Sequence, residues 1–333
     1  MDLNSVNTQN SKAAIKGVIY SGALRALMEP ELIGMNYVDM ITDFTEGDLY
    51  REVEMGNANY REYKEGDQVV YDAFEFGQRD FEINHYATSG HIVTAKFYQD
   101  SGYAAQIAAA VPGKEARALS AKIEKEIFQL HRVIQTAGDA NAIETMSHRY
   151  VAGHDADAAN IALGTITPHD FAYAAVAMAK AGYFGPKIAI IPTYQALLIP
   201  QAKGASEQLK YNPMWADVVT KGSLTGMTFA FNLAGFDIYT SNFTDVIPSE
   251  TLSTAGGQSK ECTNCGVAQL FINNAGERPY RMAWRQMPSF KGWFDDDHQV
   301  EKYLTVCRYG LGAGEKGNLI SILCKTDANS QIA

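Results

Sequence analysis

"TPHDFAYAAVAMAKAGYFGPKIAIIPTYQALLIPQ", residues 167–201, changes structure three times in a short space. Thr167 is an N-cap, Pro168 suits the first helical position, and Asp170 stands three residues after the cap, so a helix starts here. Gly182 closes it. "KIAII" (Lys187–Ile191) reads as a short buried strand, apolar from Ile188 to Ile191. Pro192 then opens a second short helix, Thr193–Ile199, which Pro200 halts. Helix, buried strand, helix is α/β in character.

Working outward, "NLAGFDIYTSN" (Asn232–Asn242) reads as a hairpin with a tight turn at Ala234-Gly235, between strands at Met227–Asn232 and Phe236–Ser241. Upstream, Ala116, Leu119, Ile123, Ile127, Leu130 and Ile134 recur at helical spacing, which predicts a long spine helix over 113–136, stopped by Gly138. Residues 51–100 alternate with period two in "AFEFG", "DFEIN" and "HIVTAKF". With the polar stretch "GNANYREYKEGD" before them, they predict a long exposed β-hairpin that rests on something else, because two strands alone are marginal in water. Residues 1–50 read as an extended arm with one helical turn near Ala23–Met28. Residues 137–165 read as a crossing between domains, and Ser249–Gly257 and Lys291–Asp297 as loops. Two strands, Tyr303–Tyr309 and Leu319–Lys325, joined by a Gly-rich connection, close the chain.

The chain has 333 residues, enough for about two domains. Its net charge of −10 argues against a protein whose main task is to neutralise phosphate backbones. "MDLNSVNTQN" lacks the apolar core of an export signal, and no apolar window is long enough to span a bilayer. The four cysteines are therefore expected as reduced thiols, and Asn242-Phe243-Thr244 as an ordinary strand end.

Several motifs invite chemistry. "GAGEKG" (Gly312–Gly317) matches the dinucleotide glycine pattern, but a strand follows it and only a short tail remains, so a flexible hairpin tip is expected. "CTNC" (Cys262–Cys265) has zinc spacing without a second close pair; metal, redox and plain-loop readings stay open. "GHDAD" (His154, Asp155, Asp157) and "DDDH" (Asp295–His298) read as solvated acidic loops. There is no Gly-x-Ser-x-Gly elbow, and no catalytic, cofactor or metal residue stands out. "RPYRMAWR" interleaves Arg278, Arg281 and Arg285 with Tyr280 and Trp284, which suits a protein interface, nucleic acid, or an internal cation–π cluster.

An arm, an exposed hairpin, a spine helix, an α/β insert and a return to β resemble the major capsid proteins of tailed bacteriophages, with the α+β Hong Kong 97-type fold. The family's insert domain commonly has a segment close to G-x-x-x-G-F/Y-x-I/V-Y-x-S-N. Gly226 followed by "NLAGFDIYTSN", with its turn at Gly235, is similar to it. So is the 167–201 stretch, and so is "RYGLGAGEKGNLISIL" running into a last strand. The resemblance covers about residues 40–325 in element order and leaves 250–300 unplaced. It implies an N-terminal arm at 1–50, an extended loop at 51–90 lying over a neighbour, a peripheral domain at 91–160 and 301–333, and an axial domain at 161–300. It also implies self-assembly through hexamers and pentamers into an icosahedral virion shell around double-stranded DNA, built in the host cytoplasm. Scaffolding, portal and cement proteins are the implied partners, with no membrane and no enzyme activity. A nanocompartment shell of the same fold, or a cytosolic α/β enzyme, are the alternatives.

Overall fold

The computed structural model describes residues 33–42, 49–55, 61–66, 76–100, 104–134, 148–153, 164–199, 229–253 and 259–332, together with Gly47, Gln68, Tyr71 and Ala73. For residues 54, 55, 77, 79, 98–100, 104–112 and 229–231 the backbone alone is described. The helical turn expected at Ala23–Met28, the helix stop at Gly138, the "GHDAD" motif and Gly226 lie outside the described residues.

A 3-10 turn (Gly34–Tyr37) leads into β1 (Val38–Ile41), followed by β2 (Leu49–Met55), β3 (Phe76–Glu82) and β4 (His85–Thr94). Next come α1 (Ala95–Asp100), the long α2 (Ala104–Gln129), α3 (His131–Ile134) and β5 (Arg149–Val151). The α/β stretch supplies α4 (Pro168–Lys180), β6 (Lys187–Pro192) and α5 (Thr193–Leu198). The rest is β: β7 (Phe229–Leu233), β8 (Phe236–Ser241), β9 (Val246–Ser253), β10 (Ser259–Ile272), β11 (Tyr280–Asp295), β12 (Val300–Ala313), β13 (Ile320–Cys324) and β14 (Gln331–Ile332).

Residues 167–199 fold as helix, buried strand and helix. Thr167 and Asp170 form a capping box, with the Thr167 amide donating to Asp170 Oδ2 at 2.8 Å. β6 is central in a mixed eight-stranded sheet of path β5-β13-β10-β6-β8-β7, with β9 and β14 also on β10. Because side chains alternate, β6 feeds both faces. Ala189 and Ile191 join Phe171, Ala174, Ala177 and Met178 of α4 on one side. Ile188 and Ile190 join Ile123, Ile127 and Phe128 of α2 on the other. That is why its sequence is apolar from Ile188 onward. At the β7–β8 hairpin, Ala234 (φ 53°) and Gly235 (φ 83°) both lie in the left-handed region, as a two-residue turn between twisted strands requires.

The second sheet has the order β1-β11-β12-β4, built on the long β11–β12 hairpin. Met282, Cys307, Tyr309 and Leu311 of this sheet enter the same core cluster as the apolar stripe of α2. The spine helix therefore welds the two sheets together. Gln269 ties the weld: its amide donates to the Phe128 carbonyl at 2.6 Å, and its oxygen accepts from the Tyr280 hydroxyl.

Several expectations are corrected. The spine helix begins at Ala104 and ends at Gln129, and Ile134 belongs to the separate α3. Pro112 and Gly113 lie inside it, at an intrinsic cost of about 3 and about 1 kcal/mol, which tertiary packing of the stripe overrides. The "HIVTAKF" strand stops at Thr94, whose hydroxyl accepts from the Phe97 amide at 3.4 Å, and α1 follows. Ser249–Ser253 and Lys291–Asp295 are strands, not loops, because backbone pairing with β10 and β12 organises their polar sequences. "GAGEKG" is no flexible hairpin tip. It links β12 to β13, which lie in different sheets, and is packed: the Gly314 amide donates to the Pro279 carbonyl at 2.7 Å, and a Cβ on Gly314 would lie 2.1 Å from the Arg278 carbonyl oxygen. Sheet membership does not divide by sequence at 160 and 300: β11 pairs into the four-stranded sheet, and β5, β13 and β14 pair into the eight-stranded one.

Candidate functional site

β2 and β3 pair in antiparallel fashion as a two-stranded ribbon. Its root is fixed. Phe81 is buried against β12, packed so closely over Gly310 and Gly312 that a Cβ at either would overlap its ring. Arg281 of β11 pairs with Glu52. Along the ribbon, Leu49, Arg51 and Val53 share a face with Asp80, Gln78 and Phe76. Arg51 grips Asp80 through two hydrogen bonds of 2.7 and 3.0 Å, while Val53 and Phe76 are 68% and 69% exposed. Apolar area of this kind is stabilised by about 25 cal/mol per Å² when a partner covers it.

The β4–β12–β11 sheet has a second, partly exposed face. Cys307 and Tyr309 face α2. The alternate residues Lys302, Leu304 and Val306 point the other way, beside Ile92, Gly90 and Thr88 on β4 and Trp293, Lys291 and Ser289 on β11. Trp293 is 46% exposed, and Tyr86, across from Arg308, is 66% exposed. At the far end Phe290 stacks on Tyr303 with ring centroids 5.6 Å apart. The "DDDH" turn closes this hairpin, with Lys302 and His298 bonded to Asp295, whose carboxyl the Lys302 hydrogen bond chiefly holds down at about 2.

The cation–aromatic segment takes internal partners. Arg278 donates to Asn273 Oδ1 (2.8 Å) and the Val38 carbonyl (3.1 Å) and pairs with Asp39. Tyr280 is fully buried on Gln269, and Trp284 packs edge-on against Tyr309 at 5.5 Å. Arg281 holds the ribbon, and Arg285 is half-buried next to Trp284. Spacing along a strand explains the split: Tyr280 and Met282 face the core, and the arginines flank it. The exposed apolar residues of the ribbon and open sheet face escape a motif search. Their signal is alternation, Leu49-x-x-x-Val53 on one strand, and only the pairing reveals that this face stays exposed among the described residues.

A charged network fastens the end of the spine. His131 is fully buried; burial depresses its pKa, so the imidazole is neutral at pH 7. Its Nε2–H donates to Asp245 at 2.8 Å, while Nδ1 accepts from Arg149 at 3.0 Å. Arg149 pairs with Glu250, and Arg132 forks onto Asp245 at 2.5 and 2.9 Å. Nearby, Glu124 accepts the Ile33 and Gly34 amides at 3.0 Å each, and burial raises its pKa. Burial also pushes up the thiols of Cys307 and Cys324. Cys262 and Cys265 correct the expectation of reduced thiols: they lie in β10, joined by a disulfide. Among the described residues no three potential metal ligands cluster, and no helix is long and apolar enough to cross a membrane.

No family model and no curated protein matches the sequence. Solved structures do match. A chain of the cyanophage Pam1 capsid asymmetric unit superposes with a TM-score of 0.65 at 10% identity, covering 94% of this chain and 98% of that one. A Mycobacterium phage Che8 chain gives 0.61 at 14% identity, over 92% and 96%. The capsid of Ralstonia phage GP4 gives 0.60 at 10% identity, over 97% and 98%. At these identities the likeness is one of fold, and it extends over nearly the whole of each chain.

Proposed function

We propose that this chain, which has the α+β Hong Kong 97-type fold of the tailed-phage capsid chains compared above, is a major capsid protein that builds a virion shell. The observation that carries the proposal is the two-way coverage, 97% and 98% against the Ralstonia phage GP4 capsid chain and 94% and 98% against the cyanophage Pam1 capsid chain, so that the likeness is to a whole capsid chain and not to one piece of it. In this reading the ribbon is the extended loop, α2 with the four-stranded sheet the peripheral domain, and the eight-stranded sheet the axial domain. The ribbon face of Leu49, Val53 and Phe76 seats on a neighbour's open sheet face of Tyr86, Ile92, Trp293, Leu304 and Val306. One patch on each copy meets a different patch on the next, so the contact is heterologous, and rings form where the rotation closes. Hexamers and pentamers then share many weak contacts, which together hold a shell that no single contact could. Packaged double-stranded DNA is the content, and the net charge of −10 limits its adhesion to the wall. Scaffolding, portal and cement proteins are the partners of assembly, which takes place in the host cytoplasm.

The test is size. The full-length chain, expressed alone and with a scaffolding protein, is sedimented through a gradient, and the fast fraction is imaged by negative-stain electron microscopy. Closed shells or tubes are expected. A sharp small-oligomer peak that persists at high concentration and with scaffolding protein overturns the proposal.

A further inference from the structure

Residues three apart in a regular strand point to opposite faces, yet Cys262 and Cys265 of β10 are both fully buried in one cluster, with Val151, Ile247, Val267 and Leu323. Asn264 makes this possible. Its φ of 55° breaks the alternation, so that Thr263 and Asn264 both face solvent while the strand keeps its register on β9, from Cys262 opposite Glu250 to Cys265 opposite Ile247. Asn tolerates the left-handed region better than most residues. The disulfide closes over this break.

The broken residue is also a docking point. The Asn264 carbonyl accepts from the hydroxyls of Thr326 and Ser330, both at 3.1 Å. Ser330 in turn donates its amide to Asp327 at 2.9 Å, which shapes the turn before β14. β14 then pairs across Cys262 and Thr263, where its Ile332 covers the cluster. No third thiol shares this site: Cys324 lies in the cluster on the opposite sheet face, and Cys307 packs with the other sheet.

We propose that Cys262–Cys265 is a redox-controlled staple that governs docking of residues 326–332. Closed, it holds Asn264 in the conformation whose carbonyl Thr326 and Ser330 grip. Opened, Asn264 relaxes to an ordinary strand conformation, its carbonyl turns away, and β14 detaches. Because no internal thiol can exchange with it, closure needs an outside oxidant of the low-molecular-weight disulfide class. The two cysteine thiols lose two protons and two electrons and form one S–S bond. The oxidant's S–S bond breaks and takes both up as two thiols. On the shell reading, on which its use rests, the staple is open during assembly in a reducing cytoplasm and closes after release, fixing the edge of the axial sheet.

The test uses the full-length chain treated with oxidised glutathione or with a phosphine reductant. After oxidation, denaturation and alkylation, two of the four cysteines are expected to be modified; after reduction, all four. Hydrogen exchange in residues 326–332 is expected to quicken about tenfold on reduction, the effect of losing one or two hydrogen bonds. In the C262S/C265S variant this region no longer responds to redox state. T326V/S330A is expected to speed reduction of the wild-type disulfide about five- to tenfold. Four free thiols after oxidation, or equal exchange in both redox states, overturns the proposal. Each readout is made on the soluble chain, so failure of the staple and failure of shell assembly are distinguishable.

Discussion

Replacing Gly310 by alanine tests how the ribbon is rooted. A Cβ at this position would stand 2.5 Å from the Glu82 carbonyl oxygen, 2.9 Å from the Phe81 ring and 3.1 Å from the Ile83 Cα. Two of these three neighbours are backbone, so no rotamer change relieves them. To regain ordinary contact near 3.4 Å, the Glu82 peptide has to retreat by about 0.9 Å, and Glu82 is the residue paired with Leu49 where the ribbon begins. Overpacking of this kind costs about 3 kcal/mol, and the reduced freedom of the unfolded chain returns at most about 1 kcal/mol. The net of about 2 kcal/mol corresponds to a fall in Tm of about 3 °C for a chain of this size. Gly312 is the control. Its Cβ would meet only the Phe81 ring edge, at 2.8 and 3.0 Å, and a ring can tilt. G312A is therefore expected within about 2 °C of wild type, and F81L should restore it fully. The same F81L should leave G310A impaired, because the carbonyl contact remains. Scanning calorimetry on the unassembled chain reads all four. A G310A variant within 1 °C of wild type, or one rescued by F81L, would refute the backbone argument.

Asp245→Asn should cost about 3 kcal/mol at pH 7, because it leaves the Arg132 fork and His131 without their carboxylate. Burial raises the Asp245 pKa, but the hydrogen bonds from His131 and Arg132 outweigh it, so the folded value is lower than the unfolded one. This stabilisation is therefore present above the unfolded value near 3.8 and lost as pH falls through the folded one; urea unfolding at pH 7 and pH 3 should show the variant converging on wild type in acid. Glu124→Gln behaves with the opposite sign. Burial raises its folded pKa despite the Ile33 and Gly34 amides, so wild-type stability falls as pH rises from 4.5 to that value, and the variant lacks this slope. The glutamine amide also faces one N–H donor with another, at about 1–2 kcal/mol, and hydrogen exchange at Ile33 and Gly34 should quicken.

Local signals were legible where short-range chemistry decides. The capping box at Thr167 and Asp170, the apolar run of β6 and the turn at Ala234-Gly235 each depend on residues within a few positions of one another. The apolar stripe located the spine helix but not its start, because Pro112 and Gly113 look like a boundary until packing against two sheets is counted. The cation–aromatic segment left a surface and an internal cluster both open, and Tyr280 is core, because which side of β11 is covered depends on α2 and β10. The "CTNC" spacing was visible without its meaning, since the left-handed Asn264 and the distant Thr326 and Ser330 complete it.

By itself, then, the sequence determined the elements: helix, buried strand, tight hairpin, spine and exposed ribbon, together with an element order that resembles a capsid subunit. Those follow from periodicity and capping, which act over one or two turns of chain. Only the tertiary structure decided which strands share a sheet. β11 leaves the α/β half for the four-stranded sheet, and β13, buried along its whole length, returns to the eight-stranded one. Alternation records that one face of a strand is covered, not what covers it. That choice is made by long-range pairing and by a single helix, α2, whose apolar stripe serves both sheets at once.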